Sequence, residues 1–261
     1  MSATTANSGR LLLVPNTLDL GSESVPLDEV LPQGVMAQAA ALSHWVVEDA
    51  RSTRAFLKRV HACVPLSMPL QAIDIQELPR ARKGSGAAVP AAQWQALLAP
   101  ALAGADIGLL SEAGLPAVAD PGAELVACAH AAGLVVQVLA GPSSLLMALA
   151  ASGLNGQSFA FVGYLPQEAA ARVARIRELE AWSRRHAQTQ ICIETPYRNA
   201  ALFTALVDAL APGTRLSVSV GLTLKEALSR TETVTRWRSM SAGQRPPLSD
   251  KLPAVFSWLA S

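Results

Sequence analysis

The chain repeats one pattern: a short aliphatic run, a loop of glycine, proline or serine, then an Ala-rich or amphipathic stretch. Runs at 11–14, 44–47, 107–110 and 134–139, with a shorter one at Ile73 and Ile75, read as strands buried on both faces. Between them, helices are predicted over 27–42 (interrupted near Pro32 and Gly34), 51–60, 93–102, 121–132 and 143–151. Strands alternating with helices through short loops give a parallel sheet covered on both sides. After Gly153-Leu154-Asn155-Gly156 the pattern restarts. It gives strands at 159–162, 191–193 and 216–220, helices at 168–185 and 199–210, and extended segments at 231–237 and 254–259 that pair antiparallel. The expectation is an α/β protein of two domains, 1–154 and 155–261, with a mostly parallel sheet in the first and a mixed sheet in the second.

With 51% hydrophobic and 16% charged residues the chain can bury a sizeable core, and its scarce aromatics favour Ala-rich helices over a β-sandwich. A formal charge of +1 supplies no global field for a polyanion, so RNA would need a local patch. Cys63, Cys128 and Cys192 have no cysteine or histidine at metal-ligand spacing and read as buried free thiols of a reducing compartment. The first ten residues lack an apolar signal core, so a cytoplasmic location is expected. Residues 131–167 carry no charge, but Gly141-Pro142-Ser143-Ser144 at their centre would strand backbone polar groups in lipid. No membrane association is therefore expected.

Ligands of open α/β sheets bind in loops beyond the carboxyl ends of strands. Four such loops concentrate Gly, Pro, Ser and acids: Pro15-Asn16-Thr17-Leu18-Asp19, Glu48-Asp49-Ala50-Arg51-Ser52-Thr53, the segment from Ser111 to Gly122, and Ala140-Gly141-Pro142-Ser143-Ser144. The third is longer than a strand-to-helix turn requires. Asp120 is expected to cap the following helix with Pro121 in its first position, which leaves Ser111 to Pro116 unexplained. Ser143 and Ser144 suit helix caps and equally suit amides facing a ligand. Neither a G-x-G-x-x-G nor a G-x-x-x-x-G-K-[ST] fingerprint is present. His44, His61, His130 and His186 are scattered without carboxylate partners, so neither a metal site nor a hydrolytic triad is expected. Glu194-Thr195-Pro196-Tyr197-Arg198 follows a buried strand and is a candidate site or an ordinary Thr-Pro turn. The arginines 172, 175, 177, 184 and 185 read as a solvated helix face, and Arg80, Arg82 and Lys83 beside Gly84-Ser85-Gly86 as a basic loop suited to a polyanion.

Six motifs in register carry a family resemblance. They are Glu48-Asp49-x-Arg51-x-Thr53, the run Ser111-Glu112-Ala113-Gly114-x-Pro116-x-x-x-Asp120-Pro121-Gly122, Gly141-Pro142-Ser143, Ala151-Ser152-Gly153-Leu154, Gly163-Tyr164-Leu165-Pro166 and Glu194-Thr195-Pro196-Tyr197-Arg198. Together they resemble the tetrapyrrole-methylase superfamily, and within it the ribosomal RNA small-subunit methyltransferase I branch, from about residue 11 to 259. The chain departs from that branch in its first loop (Val14-Pro15-Asn16-Thr17 for T-P-I-G-N) and at Ala50, Leu115 and Tyr197, which is similar to a divergent side-branch.

The resemblance implies a two-domain fold that binds S-adenosylmethionine between its domains, as a homodimer. By that similarity the cofactor would lie along Ser111, Glu112, Ala113, Gly114 and Pro116, with Val118 beside it and Ser143 and Ser144 facing it. Glu194, Thr195, Leu222, Pro253 and Ala254 would close it. Pro15, Asn16, Thr17, Glu48, Asp49, Arg51, Tyr197 and Arg198 would meet the substrate. The implied reaction is in-line methyl transfer, in which the protein supplies alignment and removes a proton where needed. Glu48, Asp49, Glu194 and Lys225 are the candidates for that proton. A ribose 2′-hydroxyl of ribosomal RNA is the expected acceptor; a tetrapyrrole carbon, or binding of the cofactor without catalysis, are the alternatives.

Overall fold

The first strand, β1 (Arg10–Leu13), carries four residues whose neighbours on both sides are strands, and that placement organises the first half of the chain. The computed structural model describes residues 8–19, 25–79 and 89–261. The polar amino-terminal residues 1–7 and the basic loop at Arg80, Arg82 and Lys83 lie outside the described residues. The chain divides into two compact units, Met1–Pro142 and Ser143–Ser261.

In the first unit β1 is followed by α1 (Gln33–Ala41), β2 (His44–Val47), α2 (Ala50–Cys63), β3 (Asp74–Glu77), α3 (Ala91–Leu97), α4 (Ala99–Leu102), β4 (Ile107–Leu110), α5 (Ala123–Ala131) and β5 (Val135–Val138). The strands pair in parallel in the order β3-β2-β4-β1-β5. Alternation explains their unbroken apolar runs. Leu12, Val14, Trp45, Val47 and Leu110 face one layer with α1 and α2, while Leu11, Leu13, Val46, Ile107 and Leu109 face the opposite layer with α3, α4 and α5. The helix predicted over 27–42 is a 3-10 turn at Leu27–Glu29 followed by α1, which starts directly after Pro32. The one predicted over 93–102 is split at Leu98.

The second unit contains α6 (Ser144–Ser152), β6 (Phe159–Phe161), α7 (Ala169–His186), β7 (Thr189–Glu194), α8 (Asn199–Ala209), β8 (Arg215–Val220), β9 (Leu228–Thr233), α9 (Val234–Ser239) and β10 (Ala254–Leu259). Its sheet runs β6-β7-β10-β8-β9, with β6 parallel to β7 and the other pairs antiparallel, so it is mixed. Cys192, Leu216, Val218, Phe256 and Trp258 pack under α7, α8 and α9, and Ile191 and Val255 pack under α6.

Three sequence expectations change here. The units divide before α6, whereas the predicted boundary followed it, because Leu145, Ala148 and Leu149 bury against Ile191 and Val255 of the second sheet. The extended segment predicted at 231–237 turns helical at Val234: the Thr233 hydroxyl accepts from the Arg236 amide, and Val234 and Trp237 bury one turn apart. Finally, β9 and β10 do not pair with each other, since β8 lies between them.

Two glycines test the packing. A Cβ on Gly108 would lie 2.7 Å from the Trp45 ring and 2.9 Å from Leu42 Cδ1, both fully enclosed. A Cβ on Gly34 in α1 meets nothing within 4 Å. Gly108→Ala should therefore lower the unfolding free energy by about 1–3 kcal/mol, while Gly34→Ala raises it by about 0.4–1 kcal/mol; urea denaturation of the two variants measures both.

Candidate functional site

The order β3-β2-β4-β1-β5 contains one topological switch point. From β1 the chain crosses through α1 to β2 on one side, and from β4 it crosses through α5 to β5 on the other. The crevice of such a sheet opens outside the carboxyl ends of those two adjacent strands. The loops that follow β1 and β4 are tied together there. Asn16 N donates to Gly114 O at 2.9 Å, and Asn16 Nδ2 donates to Ser111 O at 3.1 Å and Glu112 O at 3.0 Å. Its Oδ1 accepts from Thr17 N at 2.8 Å. Behind them Thr17 Oγ1 donates to Asp19 Oδ1 at 2.7 Å, and the buried Asp19 pairs with Arg59 Nη1 at 3.1 Å. Pro15, Asn16 and Thr17, expected to meet substrate, are all buried, and the Asn16 and Thr17 side chains hold the loop. Arg59 was not singled out from the sequence, and its place beside the buried face of α2 (Phe56, Leu57, Val60) is the signal that could have found it.

The loop after β4 is strained. Gly114 and Gly122 have φ of 68° and 128°, and Ala117 and Ala119 also sit at φ 64°, where an L-residue is disfavoured by about 1–2 kcal/mol. Gly122 caps α5, so Asp120 is not the helix cap that the Asp-Pro-Gly run suggested: the left-handed turns delay the helix to Ala123. Pro116 is buried, Ala113 half-buried, and Glu112 and Val118 are exposed. Ser111 is 2% exposed, and its hydroxyl meets no hydrogen-bonding partner among the described residues. Such an orphaned polar atom at a strand's end calls for a ligand or a water.

Three carboxyl groups converge beside it. Glu48 Oε2 accepts from Glu112 N at 3.2 Å. Asp120 is half-buried, and burial first, then the charges of Glu48 and Glu112, push its carboxyl up to about 7. Asp120 is therefore poised to exchange a proton near neutrality, a role expected from the sequence of Glu48, Asp49, Glu194 or Lys225; the clue available was the four acids Glu48, Asp49, Glu112 and Asp120 in the loops after the neighbouring strands β2 and β4. Asp49 instead caps α2, its Oδ1 accepting from Ser52 N at 2.7 Å, and Arg51 is exposed. On the other side of the crevice, a Cβ on Gly141 would fall 2.2 Å from Pro15 Cβ, so only glycine lets the loop after β5 approach the loop after β1.

In the second unit the register gathers Glu194, Pro253 and Ala254 at one end of the three central strands. Ala254 at the start of β10 lies opposite Glu194 at the end of β7 and Val220 at the end of β8. Gly221 N donates to Pro253 O at 3.0 Å, and Asn199 Nδ2 to Leu252 O at 3.0 Å. The buried Glu194 accepts from Thr195 N at 2.8 Å and from Arg198 Nη2. That pairing uses the carboxylate to fix Arg198, whose guanidinium is held above its usual range first by this hydrogen bond. Leu222 packs with Leu145 of α6 in one cluster. Ser143 occupies the cap position of α6 without a side-chain cap bond, Ser144 is half-buried, Tyr197 is 71% exposed, and Lys225 is exposed.

Other expectations shift as well. Of the three cysteines only Cys192 is buried, and burial raises its thiol far above the ordinary value; Cys63 is exposed because α2 ends there at the surface. His44, read as unpaired, lies 3.3 Å from Asp74, since the parallel register sets the two residues opposite each other. Among the described residues no group of three His, Cys, Asp or Glu could hold a metal ion, and no helix is long and apolar enough to cross a membrane.

The Asp120 carboxyl gives a pH prediction. It titrates near 3.8 when unfolded and at about 7 when folded. The folded chain thus keeps a proton that the unfolded chain releases, and this contribution to stability is lost as pH rises from about 4 to about 7. Asp120→Asn should be more stable than the parent at pH 8, with the advantage vanishing toward pH 4. Equal unfolding midpoints at pH 8 would show that the carboxyl is not held neutral.

A family model for tetrapyrrole (corrin/porphyrin) methylases matches residues 38–236. The ribosomal RNA small subunit methyltransferase I of Mycobacterium tuberculosis is 35% identical over 204 residues, 78% of this chain and 63% of that protein. The enzyme of the same name from Vibrio cholerae is 39% identical over 116 residues, 44% of this chain and 39% of its own length. The chain thus spans less than two thirds of the length of these relatives. The crystal structure of the methyltransferase CobJ superposes with a TM-score of 0.55 at 16% identity, covering 97% of this chain and 100% of that one, a likeness of fold. On the family match over residues 38–236, the chain belongs to the tetrapyrrole (corrin/porphyrin) methylase family.

Proposed function

We propose that this chain is an S-adenosylmethionine-dependent methyltransferase whose acceptor is RNA, with a ribose 2′-hydroxyl of ribosomal RNA as the methylated group. The observation that carries the reading is the buried, unpartnered Ser111 hydroxyl in the strained loop at the switch point. The names of the relatives support the acceptor.

The residues fit such a cofactor. Ser111 offers a free hydroxyl, and the backbone from Glu112 to Pro116 is held open by Gly114 and by the Asn16 contacts. Val118 adds an exposed apolar surface. In the second unit Thr195, Leu222, Pro253 and Ala254 are the proposed contacts, with Ser143 and Ser144 at the start of α6. When bound, the sulfonium supplies an already activated methyl group. The chain's own task is to orient the acceptor and take its proton. Asp120, tuned to about 7 beside Glu48 and Glu112, suits that task better than Asp49 or Glu194, whose carboxylates hold Ser52 and Arg198. A cytoplasmic homodimer is proposed on the family resemblance.

Calorimetric titration with S-adenosylhomocysteine tests this reading. The parent should bind. Ser111→Ala should weaken binding by roughly three- to tenfold, the worth of one hydrogen bond, without lowering the unfolding midpoint, because it removes a hydroxyl that has no partner. Gly114→Val, forced to φ 68° with its Cβ 3.3 Å from Leu18, should lose binding altogether. Absence of binding by the parent at millimolar ligand would overturn the proposal.

A further inference from the structure

The formal charge of +1 conceals an uneven division. Residues 143–261 carry thirteen Lys and Arg against eight Asp and Glu, a formal +5, whereas residues 1–142 carry eight against twelve, a formal −4. The basic unit also contains both tyrosines of the chain.

Those tyrosines stand at neighbouring strand ends. Val162 N donates to Ile191 O at 2.8 Å and Ile193 N to Gly163 O at 3.3 Å, which continues the parallel β6–β7 pairing up to Gly163. Tyr164 follows immediately, beside the end of β7, and Tyr197 lies in the 3-10 turn Pro196–Arg198 that follows β7. They are 57% and 71% exposed, although the residue after Tyr164, Leu165, is buried and anchors its backbone. Both rings lie within electrostatic reach of one guanidinium, that of Arg198, which Glu194 holds in place. Single exposed apolar residues need no explanation. Two large aromatic faces at adjacent strand ends, around one fixed arginine and on the positively charged unit, form a surface with a defined chemistry. Unpaired bases stack on such aromatic and guanidinium faces, while phosphates respond to the net positive charge of the unit.

We propose that Tyr164 and Tyr197, with Arg198, form a stacking platform for unpaired bases of the RNA acceptor. The inference rests on the RNA reading of the acceptor given above. It assigns single-stranded RNA as the preferred form, because paired bases present no free face.

Fluorescence anisotropy of the full chain with a labelled single-stranded RNA 12-mer, and with its duplex, tests the platform; titration with S-adenosylhomocysteine runs alongside. The parent should favour the single strand, with affinity falling as salt rises. Tyr164→Ala and Tyr197→Ala should each weaken it by about tenfold or more, and Tyr164→Phe and Tyr197→Phe should restore it. Alanine variants that bind as tightly as the parent would overturn the platform and leave the RNA acceptor standing. A loss that phenylalanine does not restore would assign the hydroxyl instead of stacking, and also overturn it. A parent that binds S-adenosylhomocysteine and a free porphyrin but no RNA would remove the RNA acceptor, and the platform with it.

Discussion

Asn16 donates its side-chain amide to two backbone carbonyls of the loop after β4 while its own backbone pairs with Gly114. These bonds join the two loops on either side of the switch point, where the sheet itself can no longer pair them. A loop that leaves a parallel strand buries carbonyls and amides without a ladder partner, and each such group left unsatisfied costs about 1–3 kcal/mol. One asparagine satisfies several of them, and it sets the separation of the two loops at the same time. The path from Ser111 to Pro116, with Ser111's hydroxyl left over, follows from that separation. The Thr17–Asp19–Arg59 network then fixes Asn16's own loop from behind.

The acids have to be read against this rigidity. A flexible loop would let Glu48, Glu112 and Asp120 turn apart into solvent and keep their ordinary charges. Here Glu48 is engaged by the Glu112 amide, and Asp120 sits on a backbone locked by two left-handed alanines. Protonation of Asp120 is favoured by its burial first and by the charges of Glu48 and Glu112 second. The left-handed Ala117 and Ala119 lie in the same loop as this carboxyl, whose raised value comes from burial and neighbouring charge.

What the sequence made legible follows from how local each signal is. The strands β2 and β4 were readable to the residue because both faces are buried, which produces an unbroken aliphatic run bounded by loop residues. The segment at Val234 was not, since a six-residue helix and a strand give similar patterns and Thr233's cap decides between them. The position of β8 between β9 and β10, and the allegiance of α6 to the second sheet, depend on partners that are distant in sequence, such as Leu145 with Val255. At the site, the loops themselves were legible from their Gly, Pro and acidic content. Their internal roles were not: Asp49 caps α2, and Asp120, expected to cap the helix after it, does not, because Ala117 and Ala119 turn left-handed, which composition does not announce.

The division of charge between the units gives the two halves of the chain different physical tasks. The first unit concentrates carboxylates at its strand ends and is net negative, which disfavours phosphates near Glu48, Glu112 and Asp120. The second unit is net positive and displays aromatic faces at the ends of β6 and β7. Taken by itself, the second unit attracts a polyanion, whereas the acids of the first admit a neutral group, a hydroxyl or a base, at lower electrostatic cost than a phosphate. The RNA acceptor proposed above has separable anionic and neutral parts. They are its phosphates on one side and its bases and sugar hydroxyls on the other, and a hydroxyl is the part that the proposed reaction would deprotonate.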